Sequence, residues 1–235
     1  MKRASILFGI ALFALFIFSN SGTQAVDQSF AERFTAGDKD DKKKDTTDYT
    51  GTYSFDKNHS FIGFKVKHMG LIDVPGFFRD FTGTVNYDAK DVSKSTVEFT
   101  AKATSADTGV VDRDAHLKRP DFFDVEKYPD ITFKSTKVEK KGENWMLTGD
   151  FTMKGVTKSI TFPFNIPGFL PPGERGSKMG ITAETTINRR DYGVNYGTNL
   201  PSGIASISDT VTITLQIEAG GGPKAPAAAA AAPKQ

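Results

Sequence analysis

The sequence predicts an all-β, antiparallel fold built on a single core, and three observations carry that prediction. Eight segments alternate apolar and polar residues with a period of two, the rhythm of a half-buried strand. None of the eight is apolar on both faces. Helical segments are too scarce to cover a large open sheet, so the apolar faces must cover one another. A sandwich and a closed barrel both achieve this, and the period alone does not separate them.

In chain order, Thr52 to Phe55 is a short candidate strand, followed by the first strong one, where Ile62, Phe64 and Val66 alternate with Gly63, Lys65 and Lys67. The next two carry Phe81, Gly83, Val85 and Tyr87, then Val97, Phe99, Ala101 and Ala103, on their apolar faces. A helical turn follows. Asp112 is placed to cap its N-terminus, and Pro120 disfavours helical geometry at Arg119 and so ends it. Asp121 to Tyr128 is too rich in Phe122, Phe123, Val125 and Tyr128 for a solvent loop, and is expected to plug or lid one end of the fold. Five further strands present Ile131, Phe133 and Ser135; Trp145, Leu147, Gly149, Phe151 and Met153; Ile160, Phe162, Phe164 and Ile166; Met179, Ile181, Ala183, Thr185 and Ile187; and Val211, Ile213, Leu215 and Ile217. Small residues among these aromatics either open a lumen or let opposite walls pack closely.

The two ends of the chain read differently. Lys2 and Arg3, an apolar run from Ile6 to Phe18 and the small polar stretch to Ala25 form a secretory signal peptide. The alternative, an uncleaved anchor, is disfavoured because the run is about 13 residues and a spanning helix needs about 20. No stable membrane span is expected after cleavage. Residues 26–48 read as a charged, flexible linker, and 220–235, with its Gly, Ala and Pro, as a disordered tail. The expected location is the periplasm, with secretion as the alternative.

The chain has no Cys, so disulfides, thiol nucleophiles and thiolate metal ligands are excluded together. Thirty Lys plus Arg nearly balance 28 Asp plus Glu, which leaves no electrostatic footprint for nucleic acid. His59, His68 and His116 stand at no metal-ligand spacing. Ser60, Ser105, Ser135 and Ser206 lie in no G-x-S-x-G elbow, and Gly149 to Gly155 is not followed by the lysine and helix of a phosphate loop. No catalytic residue, metal or cofactor is therefore expected. Arg113, Asp114 and His116 read as a structural hydrogen-bond network. In "NRRDYGVNYG", Arg189, Arg190, Asp191, Tyr192 and Tyr196 read as a turn with a solvated salt bridge, and secondarily as a rim that binds a polar headgroup.

The block "AKATSADTGVVDRDAHLKRPDFFDVEKYPDITFKST", preceded by "FDKNHSFIGFKVKHMG" and followed by "GDFTMKGVTKSITFP", "TTINRRDYGVNYG" and "DTVTITLQIEA", resembles the YceI-like lipid or polyisoprenoid-binding family over roughly residues 49 to 219. The resemblance implies an eight-stranded, lipocalin-like β-barrel enclosing a long apolar tail. On that reading the lumen is lined by Phe64, Val66, Phe81, Val85, Phe99, Phe122, Phe123, Phe133, Leu147, Phe151, Phe162, Phe164, Ile181, Ile213 and Leu215, with no charged residue among them. The implied partner is a polyisoprenoid, an isoprenoid quinone or a related long-chain lipid, held non-covalently. A tail of about 40 carbons could gain on the order of 12 kcal/mol there. A lipid-modifying enzyme and a ligand-free envelope protein are the competing classes, and a homodimer is left open.

Overall fold

The computed structural model describes residues 45–224. The stretch read as a signal peptide, most of the one read as a charged linker and the residues from 225 onward lie outside the described residues. Among the described residues there are twelve strand segments: β1 (Gly51–Phe55), β2 (Phe61–His68), β3 (Ile72–Phe78), β4 (Phe81–Tyr87), β5 (Thr96–Lys102), β6 (Ala106–Asp107), β7 (Asp130–Lys141), β8 (Asn144–Met153), β9 (Val156–Asn165), β10 (Phe169–Gly173), β11 (Gly176–Asn188) and β12 (Ile207–Gly221). One α-helix, α1 (Val111–Leu117), interrupts them.

These segments make eight staves. β1 and β2 are two halves of one strand, and β3 and β4 two halves of the next, since β3 pairs with β2 (Ile72 opposite His68) and β4 with β1 (Tyr87 opposite Gly51). β5 and β6 together form the third stave, pairing with β4 and β3 respectively. β7, β8, β9, β11 and β12 complete an antiparallel meander, and β12 closes the ring by pairing with β2 and β1 on one side and with β11 on the other. All eight predicted strong strands and the short one at Thr52 to Phe55 are present. β3 and β10 were not foreseen, because Pro75 with Gly76 and Pro171 with Pro172 break the alternation. The three prolines belong to edge-like positions: β10 pairs only with β11, and Pro75 lies beyond the two residues where β6 covers β3.

Closure is uneven. β11 meets β9 in register at only two positions, Thr182 with Asn165 and Ala183 with Phe164. On one side of this seam β10 covers the start of β11. On the other, the short 3-10 turn Arg189–Tyr192 fills the gap: buried Tyr192 lies edge-on to Phe151 at 5.4 Å, and Lys158 reaches Asp191 at 3.2 Å.

The small inward residues do two different things. Ala101 and Ala183 leave space in the lumen. Gly83 and Gly149 instead seat aromatic rings: a Cβ on Gly149 would stand 2.4 Å from the Phe133 ring and 2.5 Å from the Lys134 carbonyl, and one on Gly83 would stand 2.4 Å from the Phe55 ring. Close packing and lumen opening are thus both correct, at different glycines and alanines.

At the end of β12 the chain read as tail is put to use. Tyr53 is fully buried, its hydroxyl donating to the Tyr49 carbonyl at 2.8 Å and sharing a 2.9 Å hydrogen bond with Ser177. Gly222, at φ +60°, lies so close over it that a Cβ would stand 2.3 Å from the ring. Gly222→Ala is expected to cost about 2 kcal/mol, through overpacking against a ring that cannot retreat. Equilibrium urea unfolding measures this, and an unchanged midpoint would show that the ring does retreat.

Burial also raises the phenol pKa of Tyr53, Tyr87 and Tyr192 above the ordinary 10.0. Above about pH 10 the unfolded chain therefore releases these protons before the folded one, so stability falls as pH rises through that point. Ultraviolet titration is expected to show these three of the six tyrosines ionising late, together with a falling Tm. Six coincident phenols would contradict the burial argument.

Candidate ligand-binding lumen

The inward faces enclose two chambers. The larger, about 290 Å³, lies at the α1 end; the smaller, about 60 Å³, lies at the other. Phe99 borders both. Its ring stacks on Phe133 at 5.8 Å, and Phe133 meets Phe162 at 5.6 Å, so three rings form the partition.

The structure distributes the expected lining residues between these spaces. Phe64, Val66, Phe122, Phe123, Phe151 and Ile213 border the larger chamber. Val85, Phe133, Leu147, Phe162, Phe164, Ile181 and Leu215 border the smaller. Phe81 borders neither; it is buried in the wall opposite Ala101 of β5. The segment from Asp121 closes over the larger chamber: Phe123 packs on Phe78 at 6.0 Å, and Phe122 lies 4.7 Å from Tyr196.

The lining is not free of charge, contrary to the reading from the strands. Thr108, Arg113, His116 and Arg189 all border the larger chamber, and all come from turns or the helix, where a strand-face analysis does not look. Arg113 donates to the Thr108 hydroxyl at 2.7 Å and to its carbonyl at 2.9 Å, while Asp114 accepts from the Thr108 N–H at 2.8 Å and its hydroxyl at 2.5 Å. The expected network therefore exists for Arg113 and Asp114 through Thr108. His116 turns the other way, to Asp121 at 2.9 Å, and this hydrogen bond holds the Asp121 carboxyl below its ordinary pKa. Edge-on contacts to Phe122 and Tyr196, which also touch each other, fix the imidazole as the third member of a ring cluster. Asp112 does not cap α1; the capping position is Val110, which makes no side-chain cap bond, and Asp112 lies inside the first turn.

Arg189 departs furthest from the solvated salt bridge expected of it. It is 3% exposed, and its guanidinium donates to the carbonyls of Ser208 (2.9 Å), Val194 (2.7 Å) and Ile207 (3.2 Å) and to Asp209 (3.3 Å). Arg190, its neighbour, stays exposed and pairs with the same carboxylate. Gly193, in the left-handed region at φ 73°, ends the 3-10 turn and sends the chain back under Arg189.

Among the described residues one group could bring three metal-ligand atoms together, Asp56, His59 and Glu218, within 4.8 Å of one another. The ammonium of Lys178 already sits on Glu218, and the His59 ring is hydrogen-bonded to Asp56 at 2.9 Å, so the carboxylates have cationic and donor partners from the chain itself. No helix among the described residues is long and apolar enough to cross a membrane.

A family model, the YceI-like domain, matches residues 53–219, all but the outermost residues of the barrel that bears these chambers. The chain belongs to the YceI-like domain family. This YceI-like barrel is 34% identical over 168 residues to Protein YceI of Escherichia coli, covering 71% of this chain and 85% of that protein. Burkholderia cenocepacia BcnA has the same fold, with a TM-score of 0.61 at 22% identity over 70% of this chain and 98% of that one. So does a polyisoprenoid binding domain from Saccharophagus degradans, with a TM-score of 0.53 at 16% identity, covering 73% and 98%.

Proposed function

We propose that the protein is an exported, periplasmic and non-catalytic carrier that holds the tail of a polyisoprenoid, isoprenoid quinone or related long-chain lipid in the lumen. The observation that carries this reading is the larger chamber, walled by aromatic and aliphatic side chains with its polar groups gathered at the α1 end. Such a space favours a ligand that is apolar along most of its length and polar at one end; a sugar or nucleotide would leave hydrogen-bonding groups unpaired against the rings. Membership of the YceI-like family and the Saccharophagus neighbour's polyisoprenoid binding support the ligand class.

The chamber size sharpens the expectation. If a chain carbon takes about the space of a water molecule, ~30 Å³, the larger chamber holds on the order of 10 carbons. Even with Phe99 swung aside to join the chambers, the space holds only about 12 carbons, so most of a tail of about 40 carbons would thread the mouth and lie beyond it. The test is native mass spectrometry of the delipidated protein with isoprenoids of graded length, with organic extraction of whatever co-purifies from its own envelope. The carrier reading expects one bound lipid, and expects Phe99→Ala to shift preference toward longer tails. A folded protein that carries nothing and takes up none of the series overturns it.

A further inference from the structure

We propose that the rim around the α1 end of the barrel is a membrane-docking surface, which seats the mouth of the larger chamber on an anionic lipid bilayer while lipid is loaded or released. The inference rests on the carrier reading. Three chain segments far apart in sequence each bring exposed apolar side chains to this rim: Met69, Leu71 and Ile72 at the β2–β3 turn, Val110 and Val111 at the start of α1, and Ile204 ahead of β12. Leu71 is 77% exposed, Ile72 62% and Val111 83%. Solvated side chains this large are ordinary singly, but a group gathered at one opening marks a contact surface.

Their convergence follows from the register. His68 pairs with both Ile72 and Ile207, the Met69 N–H donates to the Ser206 carbonyl at 3.0 Å, and Ile204 lies against Gly70. β6 runs antiparallel to β3, so the chain leaving Asp107 travels toward the Ile72 end before α1 begins. The flanking residues of each segment line the larger chamber: His68 and Val74, Thr108 and Arg113, Ile207. The exposed apolar rim is therefore continuous with the apolar interior. A tail passing between bilayer and chamber across such a rim stays out of water throughout.

Charge on the same end fits an anionic headgroup layer. Lys118 and Arg119 are exposed at the end of α1, and the charge of Arg119 adds to that of His116 in holding the Asp121 carboxyl ionised. The acids near them are otherwise engaged, Asp121 by His116 and Asp114 by Thr108, leaving Asp112 as the exposed carboxylate of the helix. Basic side chains beside an apolar rim are the pattern of interfacial binding, where insertion and headgroup attraction add.

The test is sedimentation of the purified mature chain with phosphatidylglycerol-containing vesicles and with pure phosphatidylcholine vesicles. It compares wild type with Leu71→Glu/Val111→Glu, two highly exposed positions outside the core, with folding verified by circular dichroism. The proposal expects wild type to prefer the anionic vesicles, the double variant to lose vesicle partitioning by at least ten-fold and vesicle-to-vesicle lipid transfer with it, and both proteins to bind a short soluble isoprenoid equally. Lipid-binding wild type that ignores both vesicles, or a variant that partitions like wild type, overturns it; if the same variant instead loses a periplasmic protein partner, the rim is a protein interface. A chain that partitions onto vesicles yet binds no isoprenoid keeps the docking surface and overturns the carrier reading alone.

Discussion

Ile213→Trp is expected to yield a folded barrel whose affinity for an isoprenoid tail has fallen on the order of 20-fold. Ile213 projects from β12 into the larger chamber beside Phe64, its partner across the sheet. Replacing the four-heavy-atom isoleucine side chain with the ten-heavy-atom one of tryptophan takes the space of about six tail atoms, and at about 0.3 kcal/mol per atom their exclusion removes about 2 kcal/mol of binding. Filling an apolar void tends to raise stability by about 0.5–2 kcal/mol, so Tm should hold or rise while binding collapses. That divergence distinguishes a ligand chamber from a core imperfectly packed. Fluorescence competition with a lipid probe, alongside thermal unfolding, reads both quantities. Retention of wild-type affinity with the indole in place would place the ligand elsewhere.

Arg189→Met is expected to destabilise the barrel by about 3–5 kcal/mol, the loss typical of breaking a buried charged hydrogen-bond set. The methionine fills similar volume but leaves the Ser208, Val194 and Ile207 carbonyls without their donor, in a site 3% exposed. For a domain of this size the shift in Tm is on the order of 10 °C. Arg189→Lys should recover little, because an ammonium cannot present the planar fork that reaches three carbonyls and Asp209 together. Arg190→Met, by contrast, removes an exposed pair to Asp209 and should cost under about 1 kcal/mol. Denaturant unfolding of the three variants measures the order, and equal effects at positions 189 and 190 would refute the assignment.

The comparison of these two arginines shows where the sequence stops being legible. Side by side in "NRRDYG" they have identical chemistry, and only the 3-10 turn and the left-handed Gly193 decide that one points under the barrel and the other outward. Strand faces were legible because alternation encodes burial directly: Ile131, Phe133, Phe151 and Phe162 lie buried on the faces assigned to them. Phe81 obeys the same rule yet lies outside both chambers, since period two specifies a face but not the depth of a residue along the barrel. The polar end of the lumen escaped because Thr108, Arg113 and His116 reach it from non-strand segments. Gly222 escaped for a different reason: a glycine-rich stretch looks like tail, and only the Tyr53 ring beneath it makes the missing Cβ a requirement.

The two-position contact between β9 and β11 means that this barrel, though closed, retains an edge. Along most of β9 the side facing β11 lacks a continuous partner strand, the kind of surface onto which a strand of another molecule can add. What blunts it is local chemistry: exposed Thr157, Lys158 and Ser159 at one end, and Pro163, which supplies no N–H to a ladder, toward the other. Resistance to aggregation in this fold therefore depends less on ring closure than on a lysine and a proline in one strand.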